Sequence, residues 1–192
     1  MATVNIVLAS SSKYRAAALR GLGVEFQTFS PDIDETPLSN ESPEALCLRL
    51  AKEKCLAGVQ KFSHSYIIGS DQVGALDKRI LTKPGNFDRA LEQLLVCQGK
   101  QATFYTALAF YCPIQELLQS AVVTTALTYR DLTEQQLSRY LELDKPYDCA
   151  GSFKIESAGS MLFSEVTSTD PSALVGLPLI KLCEYLLSAE LL

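Results

Sequence analysis

Histidine and paired cysteines are scarce in this sequence, and their scarcity limits the sites that the chain can build. His64 is the single histidine, in a polar loop, and the six cysteines are scattered without a CxxC pair. A Cys/His zinc site therefore has little to draw on, and a Ser-His-Asp relay is not favoured. Most of the thiols have apolar neighbours in the sequence, where cysteine behaves as a small hydrophobe, so we expect them to be structural and reduced.

Long apolar runs and an excess of basic residues are also absent. No stretch approaches the ~18 apolar residues of a membrane span, and Met1-Ala2-Thr3-Val4 shows neither a basic lead nor a long apolar core. We therefore expect a cytoplasmic protein with no membrane partner. The net charge of -5 and the pI near 5.0 argue against binding of nucleic acid, whereas a small anionic substrate requires only a local basic cluster.

The chain does have a substantial apolar fraction. Its 192 residues are 47% hydrophobic, enough to bury the core of a single domain over residues 1–192, in one or two lobes. It contains neither a Walker A sequence nor a complete GxGxxG, so a nucleotide site would have to be built differently. Two apolar runs, Ala102 to Tyr111 and Ala121 to Tyr129, predict an antiparallel strand pair. Together with the helices predicted around them, they indicate an α/β fold with a mixed sheet.

The segment Tyr66–Val73 has the most informative pattern. Three apolar residues at its start predict a buried strand, which we expect to end at Gly69. Ser70 and Asp71 would then follow the strand directly, where open α/β sheets place their ligand sites. A carboxylate at that place can bind a cation or accept a proton from water. The alternative is an ordinary turn, because serine and aspartate both favour turns.

A second candidate site lies near the N-terminus. Val4–Ala9 predicts a strand, Ser10-Ser11-Ser12 a turn and Lys13–Leu19 a helix. The unbonded N–H groups of the helix start, the serine hydroxyls and the guanidinium of Arg15 would together bind an anion such as phosphate. The alternative is that one serine is an ordinary N-cap and that Arg15 is an ordinary surface charge.

Carboxylates and lysines that could complete such a site occur at three further places. Pro31–Pro37 contains three carboxylates within four positions, which either surround a cation or form a solvated acidic loop. A helix predicted to begin at Ser42-Pro43 carries Lys54, one of two neighbouring lysines of which at most one can face Asp71. Lys83 stands in a tight Pro-Gly turn, which suits either a phosphate contact or a surface charge.

The remaining sequence is predicted to supply a further loop and three helices. Asp148–Glu156 is small and polar, the composition of a loop that lets a ligand approach the backbone. Asp88 is predicted to cap one helix, and Thr133 to open the next through a capping box. The C-terminal helix is expected to pack through Leu182, Leu186 and Leu187.

Seven short motifs, by their order and spacing, resemble the Maf family of nucleoside triphosphate pyrophosphatases from about Val4 to Leu187. The resemblance implies a fold like that of Maf proteins and of the related inosine triphosphate pyrophosphatases. That fold is α/β, with a mixed twisted sheet, flanking helices and two lobes around a central cleft. The motifs are Ser10-x-Ser12-x-x-Arg15, Asp34-Glu35-Thr36, Glu53-Lys54, Gly69-Ser70-Asp71, Lys83-Pro84, Ala150-Gly151-Ser152-Phe153 and Val175-Gly176-Leu177-Pro178.

The resemblance also implies a reaction. Maf proteins hydrolyse the α–β phosphate bond of a nucleoside triphosphate with a divalent cation, Mg²⁺ or Mn²⁺, and release a nucleoside monophosphate and pyrophosphate. By position, Asp71 resembles the catalytic proton acceptor that activates water, and Glu35 resembles an acidic ligand of metal or water. Glu35 and Asp71 are therefore the candidate metal ligands. The catalytic and phosphate-binding residues implied by the resemblance further include Ser10, Ser12, Arg15, Lys54 and Lys83.

Residues beside these groups resemble the branch of the family that prefers 7-methyl-GTP. They are Tyr14, Gln72 and Glu156. An aromatic face attracts the positive charge of a methylated guanine, a carboxylate can pair with the N1–H and amino donors of guanine, and a glutamine can hydrogen-bond without adding charge. This sequence departs from the branch at three positions, because Tyr14 replaces the common tryptophan, Lys13 a proline and Thr82 a glycine.

Two alternatives stay open on this reading. One is a pyrophosphatase of the other branch, which prefers dTTP and UTP, and the other is a non-catalytic nucleotide-binding regulator of septum formation. Asp71 separates the catalyst from the regulator, because a pure binder has no need of a water-activating carboxylate. A small-molecule nucleoside triphosphate is the expected partner, and a homodimer is expected from general frequency alone.

Overall fold

The computed structural model describes residues 5–192, so Val4, where we expected the first strand to begin, lies outside the described residues. Helices and strands alternate from Ile6 to Leu76. In order, the elements are β1 (Ile6–Ala9), α1 (Lys13–Arg20), β2 (Gln27–Phe29), α2 (Pro43–Lys61), β3 (Tyr66–Leu76), β4 (Arg79–Leu81), α3 (Phe87–Cys97), β5 (Gln101–Cys112), β6 (Leu117–Tyr129), α4 (Glu134–Asp144), β7 (Phe163–Ser168) and α5 (Leu179–Ser188). Short 3₁₀ helices cover Ala150–Ser152, Ala158–Leu162 and Pro171–Val175.

The helix starts mostly follow local signals in the sequence. Ser12, Ser42 and Thr133 each accept a hydrogen bond from an N–H of the first turn, and Thr133 does so within a complete capping box. The start of α3 differs from our prediction, since its N-cap is Asn86 and not Asp88. Asp88 instead lies in the first turn of α3, where a negative charge favours the positive end of the helix dipole.

The strands of the described part of the chain form one seven-stranded sheet, in the order β2-β1-β3-β5-β6-β7 with β4 paired to β3. β1 is parallel to both β2 and β3, whereas β4 is antiparallel to β3 and β7 is antiparallel to β6. β5 and β6 are joined by residues 113–116 alone, a connection too short for parallel neighbours. The predicted α/β class, with a mixed sheet and flanking helices, is thereby confirmed.

β3 does not end where the sequence suggested. It continues through Gly69 and Ser70, so Asp71 lies inside a strand and not beyond one. The strand changes partner along its length, because β1 pairs with it up to Gly69 and β4 pairs with it from Gly74. Glycine is required at 69 by the close approach of α2, since a Cβ there would lie 2.4 Å from the carbonyl oxygen of Ala51. Asp71 therefore follows the parallel part of β3, although the strand itself goes on.

By its internal contacts the chain divides into two compact units. The first unit comprises the chain up to Asp71 with Thr106–Val123 and Asp170–Leu192, and the second comprises Gln72–Tyr105 and Thr124–Thr169. In the core of the first unit, Leu8 of β1, Ile68 of β3 and Leu182 of α5 are completely buried. The expectation of a single domain with a cleft between two lobes stays a prediction.

Aromatic contacts build the core of the second unit. Phe153 packs edge to face on Phe104 and on Phe163, with ring centroids 5.2 and 5.0 Å apart. Phe163 in turn contacts Tyr129 at a centroid distance of 4.8 Å. These rings attach the small polar segment around Gly151 to β5 and β7, so the predicted loop is held close to the sheet.

Burial tests three further expectations. Leu182 and Leu186 of α5 are buried, but Leu187 is exposed, because it lies about 100° around the helix from Leu186. All six cysteines are thiols outside any disulfide, and burial raises the pKa of Cys55 to about 12, which marks it as structural. Among residues 5–192 we find no helix that has both the length and the apolar character to cross a membrane.

Candidate active site

The turn between β1 and α1 is built around two serines. The N–H of Ser12 donates to Oγ of Ser10 at 3.1 Å, and Oγ of Ser12 accepts the N–H of Arg15 at 3.3 Å. Ser12 is therefore the N-cap of α1. Ser10 is buried, and its oxygen also accepts from Nη1 of Arg15 at 3.4 Å. Because both contacts use the oxygen as acceptor, the hydroxyl proton of Ser10 can be donated to a ligand.

Arg15 is not an ordinary surface charge. Its Nε and Nη1 each donate to a carbonyl oxygen at 2.8 Å, that of Gly176 and that of Ser70. Burial lowers the pKa of Arg15, and the charges of Asp71 and Glu35 act in the opposite direction. Neutral carbonyls do not compensate a guanidinium, and within residues 5–192 Arg15 has no salt bridge. A half-buried cation that no carboxylate contacts directly favours an anionic ligand.

Lys54 joins two carboxylates. Its Nζ lies 2.6 Å from Oδ1 of Asp71 and 2.6 Å from Oε1 of Glu35. The side chains of Lys54 and Asp71 are only 9% and 10% exposed, whereas that of Glu35 is 55% exposed. The thiol of Cys47 donates to the backbone carbonyl of Asp71 at 3.3 Å and helps to fix its position. Lys54, one of the two neighbouring lysines of which at most one was expected to face Asp71, thus does so.

Ser70 and Gly176 link Arg15 of α1 to β3, although the sequence assigned neither of them a role of its own. Oγ of Ser70 lies 2.8 Å from the carbonyl oxygen of Gly176, so both carbonyls that bind Arg15 are tied together. Gly176 has a φ of 99°, and a Cβ there would lie 3.2 Å from Nε of Arg15. Their one signal in the sequence was membership of two short motifs. We refer to Ser10, Arg15, Glu35, Lys54 and Asp71 as the Asp71 site.

The donor set of Glu35 and Asp71 suits Mg²⁺ or Mn²⁺ in combination with a substrate. Magnesium is usually held by one or two carboxylates together with phosphate oxygens. Oε1 of Glu35 and Oδ1 of Asp71 each lie 2.6 Å from Nζ of Lys54, so the two carboxylates are close neighbours. Nowhere in residues 5–192 do three or more His, Cys, Asp or Glu form a group that could hold a metal ion. The residues therefore fit a divalent cation whose remaining ligands come from phosphate.

Glu41, near the end of the loop that carries Glu35, forms a bidentate ion pair with Arg49 of α2. Nε of Arg49 lies 2.7 Å from Oε1 of Glu41, and Nη2 lies 2.9 Å from Oε2. Oε2 also accepts the backbone N–H of Leu38 at 3.0 Å. The hydrogen bonds from Arg49, and then that from Leu38, lower the pKa of Glu41 from 4.5 to about 2. The folded state therefore stabilises the charged form of Glu41 relative to the neutral form.

Replacing Glu41 with glutamine is expected to destabilise the protein in a pH-dependent way. Because the folded-state pKa is depressed, the stabilisation is present above the unfolded value of 4.5 and is lost as the pH falls toward 2. The free energy of unfolding of the wild type should exceed that of Glu41→Gln at pH 6, and the two should converge near pH 2. Denaturant titrations across this range measure the difference.

The matched control for this prediction is Glu53→Gln. The Glu53 carboxylate also contacts Arg49, at 3.1 Å, but its side chain is 39% exposed against 8% for Glu41. We expect a smaller loss of stability in the control, because exposed ion pairs contribute little. A difference between wild type and Glu41→Gln that does not change with pH would contradict the prediction.

Lys83 lies in the second unit, on the loop between β4 and α3. The predicted Pro-Gly turn is anchored there, since the N–H of Gly85 donates to the carbonyl of Tyr147 at 2.9 Å. Lys83 lines a cavity of about 280 Å³ together with Arg79, Thr82, Pro84, Arg89, Glu92 and Gln93. Three cationic side chains against one carboxylate make this cavity positive, which favours an anion such as a phosphate group.

The residues expected to recognise the base are divided between the two units. Tyr14 is half-buried on α1 in the first unit, with Nζ of Lys13 4.9 Å from its ring centroid, so its face already attracts a cation. Gln72 in β3 and Glu156 in an exposed turn belong to the second unit. Their joint action on a base stays a prediction.

Comparisons with known proteins agree over nearly the whole chain. Residues 5–189 match the Maf family model, described as Maf-like protein. A protein of Saccharophagus degradans named 7-methyl-GTP pyrophosphatase is 45% identical over 184 residues, which cover 96% of this chain and 93% of the relative. Proteins of the same name from Cupriavidus pinatubonensis and Nitrosococcus oceani are 49% and 46% identical over 181 residues, which cover 94% of this chain and 91% of each relative.

Proposed function

The chain belongs to the Maf family, and from this membership and the geometry of the Asp71 site we propose that it is a 7-methyl-GTP pyrophosphatase. Water adds across the α–β phosphate anhydride, one P–O bond breaks, and the products are 7-methyl-GMP and pyrophosphate. The relatives align with almost the whole chain, and their names support this choice of substrate.

One observation carries the catalytic part of the proposal. Arg15, a half-buried cation without a salt bridge to the described residues, is hydrogen-bonded to the carbonyl of Ser70, and Asp71 is the next residue of β3. The backbone thus holds a cation suited to phosphate at Ser70 and carries a carboxylate suited to water activation on the next residue. A protein that only binds nucleotides has no use for the second of these groups.

Each residue of the Asp71 site has a role in this proposal. Ser10 and Arg15 donate hydrogen bonds to phosphate oxygens at the start of α1, which Ser12 caps. Asp71 accepts the proton of the attacking water through Oδ2, because Lys54 holds Oδ1. The ammonium of Lys54 also opposes the negative charge that develops on the phosphates. Pyrophosphate leaves with the electron pair of the broken P–O bond.

Glu35 and Asp71 are the residues that would hold a divalent cation, Mg²⁺ or Mn²⁺. When bound, such a cation neutralises charge on the phosphate oxygens and makes phosphorus more electrophilic. Glu35 suits this role because its side chain borders solvent. Lys83 would bind a phosphate oxygen, a role that the positive cavity around it supports. A cytoplasmic location, where nucleotides are made and used, belongs to the same proposal.

The base would be recognised by the aromatic ring of Tyr14 and by two polar side chains. N7-methylation gives guanine a positive charge, which the face of Tyr14 attracts. Glu156 would accept the N1–H and amino hydrogens of guanine, and Gln72 would hydrogen-bond without adding charge. The contact of Tyr14 with the ammonium of Lys13 supports this role, because it is an interaction of the same cation–π kind.

With Mg²⁺ or Mn²⁺, the purified protein is expected to release pyrophosphate from 7-methyl-GTP about 2- to 30-fold faster than from GTP. This range corresponds to a cation–π contact of roughly 0.5–2 kcal/mol. Release from dTTP and UTP should be slower still. Chromatography of the nucleoside monophosphate, with a parallel pyrophosphate assay, identifies the broken bond. Tyr14→Leu, which replaces the ring with a smaller apolar side chain, should bring the ratio of 7-methyl-GTP to GTP turnover toward one.

Other outcomes would correct different parts of the proposal. Release mainly from dTTP or UTP would overturn the roles of Tyr14, Gln72 and Glu156 and would keep the pyrophosphatase. Release of orthophosphate in place of pyrophosphate would overturn the assignment of the broken bond. No release from any nucleotide, with binding intact, would overturn the catalytic proposal and favour a non-catalytic regulator.

A further inference from the structure

Glu35 lies on irregular backbone whose position must be set by more than its own ion pair. Residues 30–42 contain neither helix nor strand, and the side chain of Glu35 is more than half exposed. Lys54 is buried, but the exposed Glu35 end of this ion pair is screened by water and salt, and both side chains lose rotamer freedom in forming it. The contact between Glu35 and Lys54 alone is therefore a weak means of holding this loop against α2.

Arg49, on α2, supplies a second attachment. Its Nη2 donates to the carbonyl oxygen of Thr36, the residue after Glu35, at 3.0 Å. The same guanidinium binds both carboxylate oxygens of Glu41, whose Oε2 also accepts the N–H of Leu38. One side chain thus fixes the loop directly at Thr36 and, through Glu41, at Leu38. A lysine could not replace it, since an ammonium lacks the planar fork that makes two parallel hydrogen bonds.

Helix geometry connects this attachment to Glu35. Positions 49 and 54 of α2 lie about 140° apart around the helix axis, at about 100° per residue. Lys54 binds Glu35 and Arg49 binds the next carbonyl, so consecutive loop residues are attached to two faces of one helix. We propose that Arg49 is a positioning residue that holds the Glu35 carboxylate against Lys54 and so beside Asp71. The proposal rests on the role given to Glu35 in the proposed function.

The kinetic test is a double-mutant cycle on pyrophosphate release. Arg49→Lys is expected to lower kcat about tenfold, the usual scale for a residue that orients a ligating side chain. KM should change less than about twofold, because the phosphate contacts of Arg15 are untouched. In a Glu35→Gln background the same substitution should cost less than about twofold, since Arg49 acts through Glu35. An equal loss in both backgrounds overturns the proposal.

The control for the cycle is Glu53→Gln. It removes the other carboxylate that contacts Arg49, at 3.1 Å, and leaves the bonds to Thr36 and Glu41 in place. We expect kcat of this variant to stay within about twofold of the wild type. A loss as large as that of Arg49→Lys would show that the charge balance of α2 matters and not the position of the loop, and it would overturn the proposal.

A second readout, tryptophan fluorescence, does not depend on activity. Because the chain has no tryptophan, the signal of a single introduced tryptophan comes from that position alone. Leu38, 60% exposed in the same loop, can be replaced by tryptophan without changing the N–H that Glu41 accepts. In this background, Arg49→Lys should raise the acrylamide quenching constant about twofold and lower the emission anisotropy, as expected for local opening. Glu53→Gln should change neither quantity.

The two readouts separate the possible failures. Unchanged quenching and anisotropy in Arg49→Lys would overturn the attachment of the loop, whatever the activity of the protein. A wild type that releases no pyrophosphate from any nucleotide would overturn the proposed function, while the fluorescence result would still decide whether Arg49 positions the loop around Glu35.

Discussion

Replacing Asp71 with asparagine is expected to lower kcat for pyrophosphate release about 10³-fold, because loss of a positioned proton acceptor costs roughly 10²–10⁴-fold. Asparagine keeps the size of aspartate, and its amide oxygen can still accept from Lys54. Lys54 also keeps its contact with Glu35 at 2.6 Å, so its buried charge is not left uncompensated. The variant should therefore fold and bind 7-methyl-GTP, which equilibrium binding and thermal unfolding can verify beside the assay.

Asp77→Asn is the matched control for this substitution. Asp77 follows the same strand, at the exposed turn into β4, and has a φ of 53°, a conformation that asparagine adopts readily. Its replacement should leave kcat within about twofold of the wild type. If Asp71→Asn keeps more than about a tenth of the wild-type kcat, Asp71 does not accept the proton. If the variant loses binding as well as turnover, Asp71 holds the substrate, directly or through its cation, and does not act on water alone.

Parts of the Asp71 site could be predicted because local patterns mark them. A serine turn between an apolar strand and a run of helix formers places Arg15 in the first turn of α1, as the structure has it. Ser42-Pro43 defines the start of α2, and with the start known, helical periodicity allows Lys54 to face β3. Both inferences need only the spacing of neighbouring residues along one element.

Contacts between distant segments could not be predicted in this way. Asp71 was expected beyond the end of a strand, but β4 folds back on β3 and extends it, an outcome of pairing that no local pattern contains. The local pattern also pairs Arg49 with Glu53, four residues on, whereas its bonds to Glu41 and Thr36 span 8 and 13 residues. Gly69 looked like a strand terminator because the approach of α2 is not visible in the sequence around it.

Arg15→Lys is expected to lower kcat/KM about 10²–10³-fold, the scale of one lost donor to a developing charge. In Arg15, Nε donates to the carbonyl of Gly176 and Nη1 to that of Ser70. These two hydrogen bonds fix the orientation of the guanidinium and leave Nη2 for the phosphate. A lysine keeps the positive charge, but its single nitrogen cannot hold two divergent carbonyls and a phosphate oxygen in this geometry. Steady-state kinetics with 7-methyl-GTP measure the loss.

Arg20→Lys is the control. Arg20 lies on the exposed last turn of the same helix, with its guanidinium 5.6 Å from the ring centroid of Phe26. The kcat/KM of this variant should stay within about twofold of the wild type. Binding of inorganic pyrophosphate to folded Arg15→Lys, well below its Tm, separates two causes. If Arg15 binds phosphate, Kd rises at least about tenfold; if it only braces Ser70 and Gly176, Tm falls and Kd is unchanged. The half-buried charge argues for the first outcome, since a neutral donor could bind two neutral carbonyls without the cost of burying a cation.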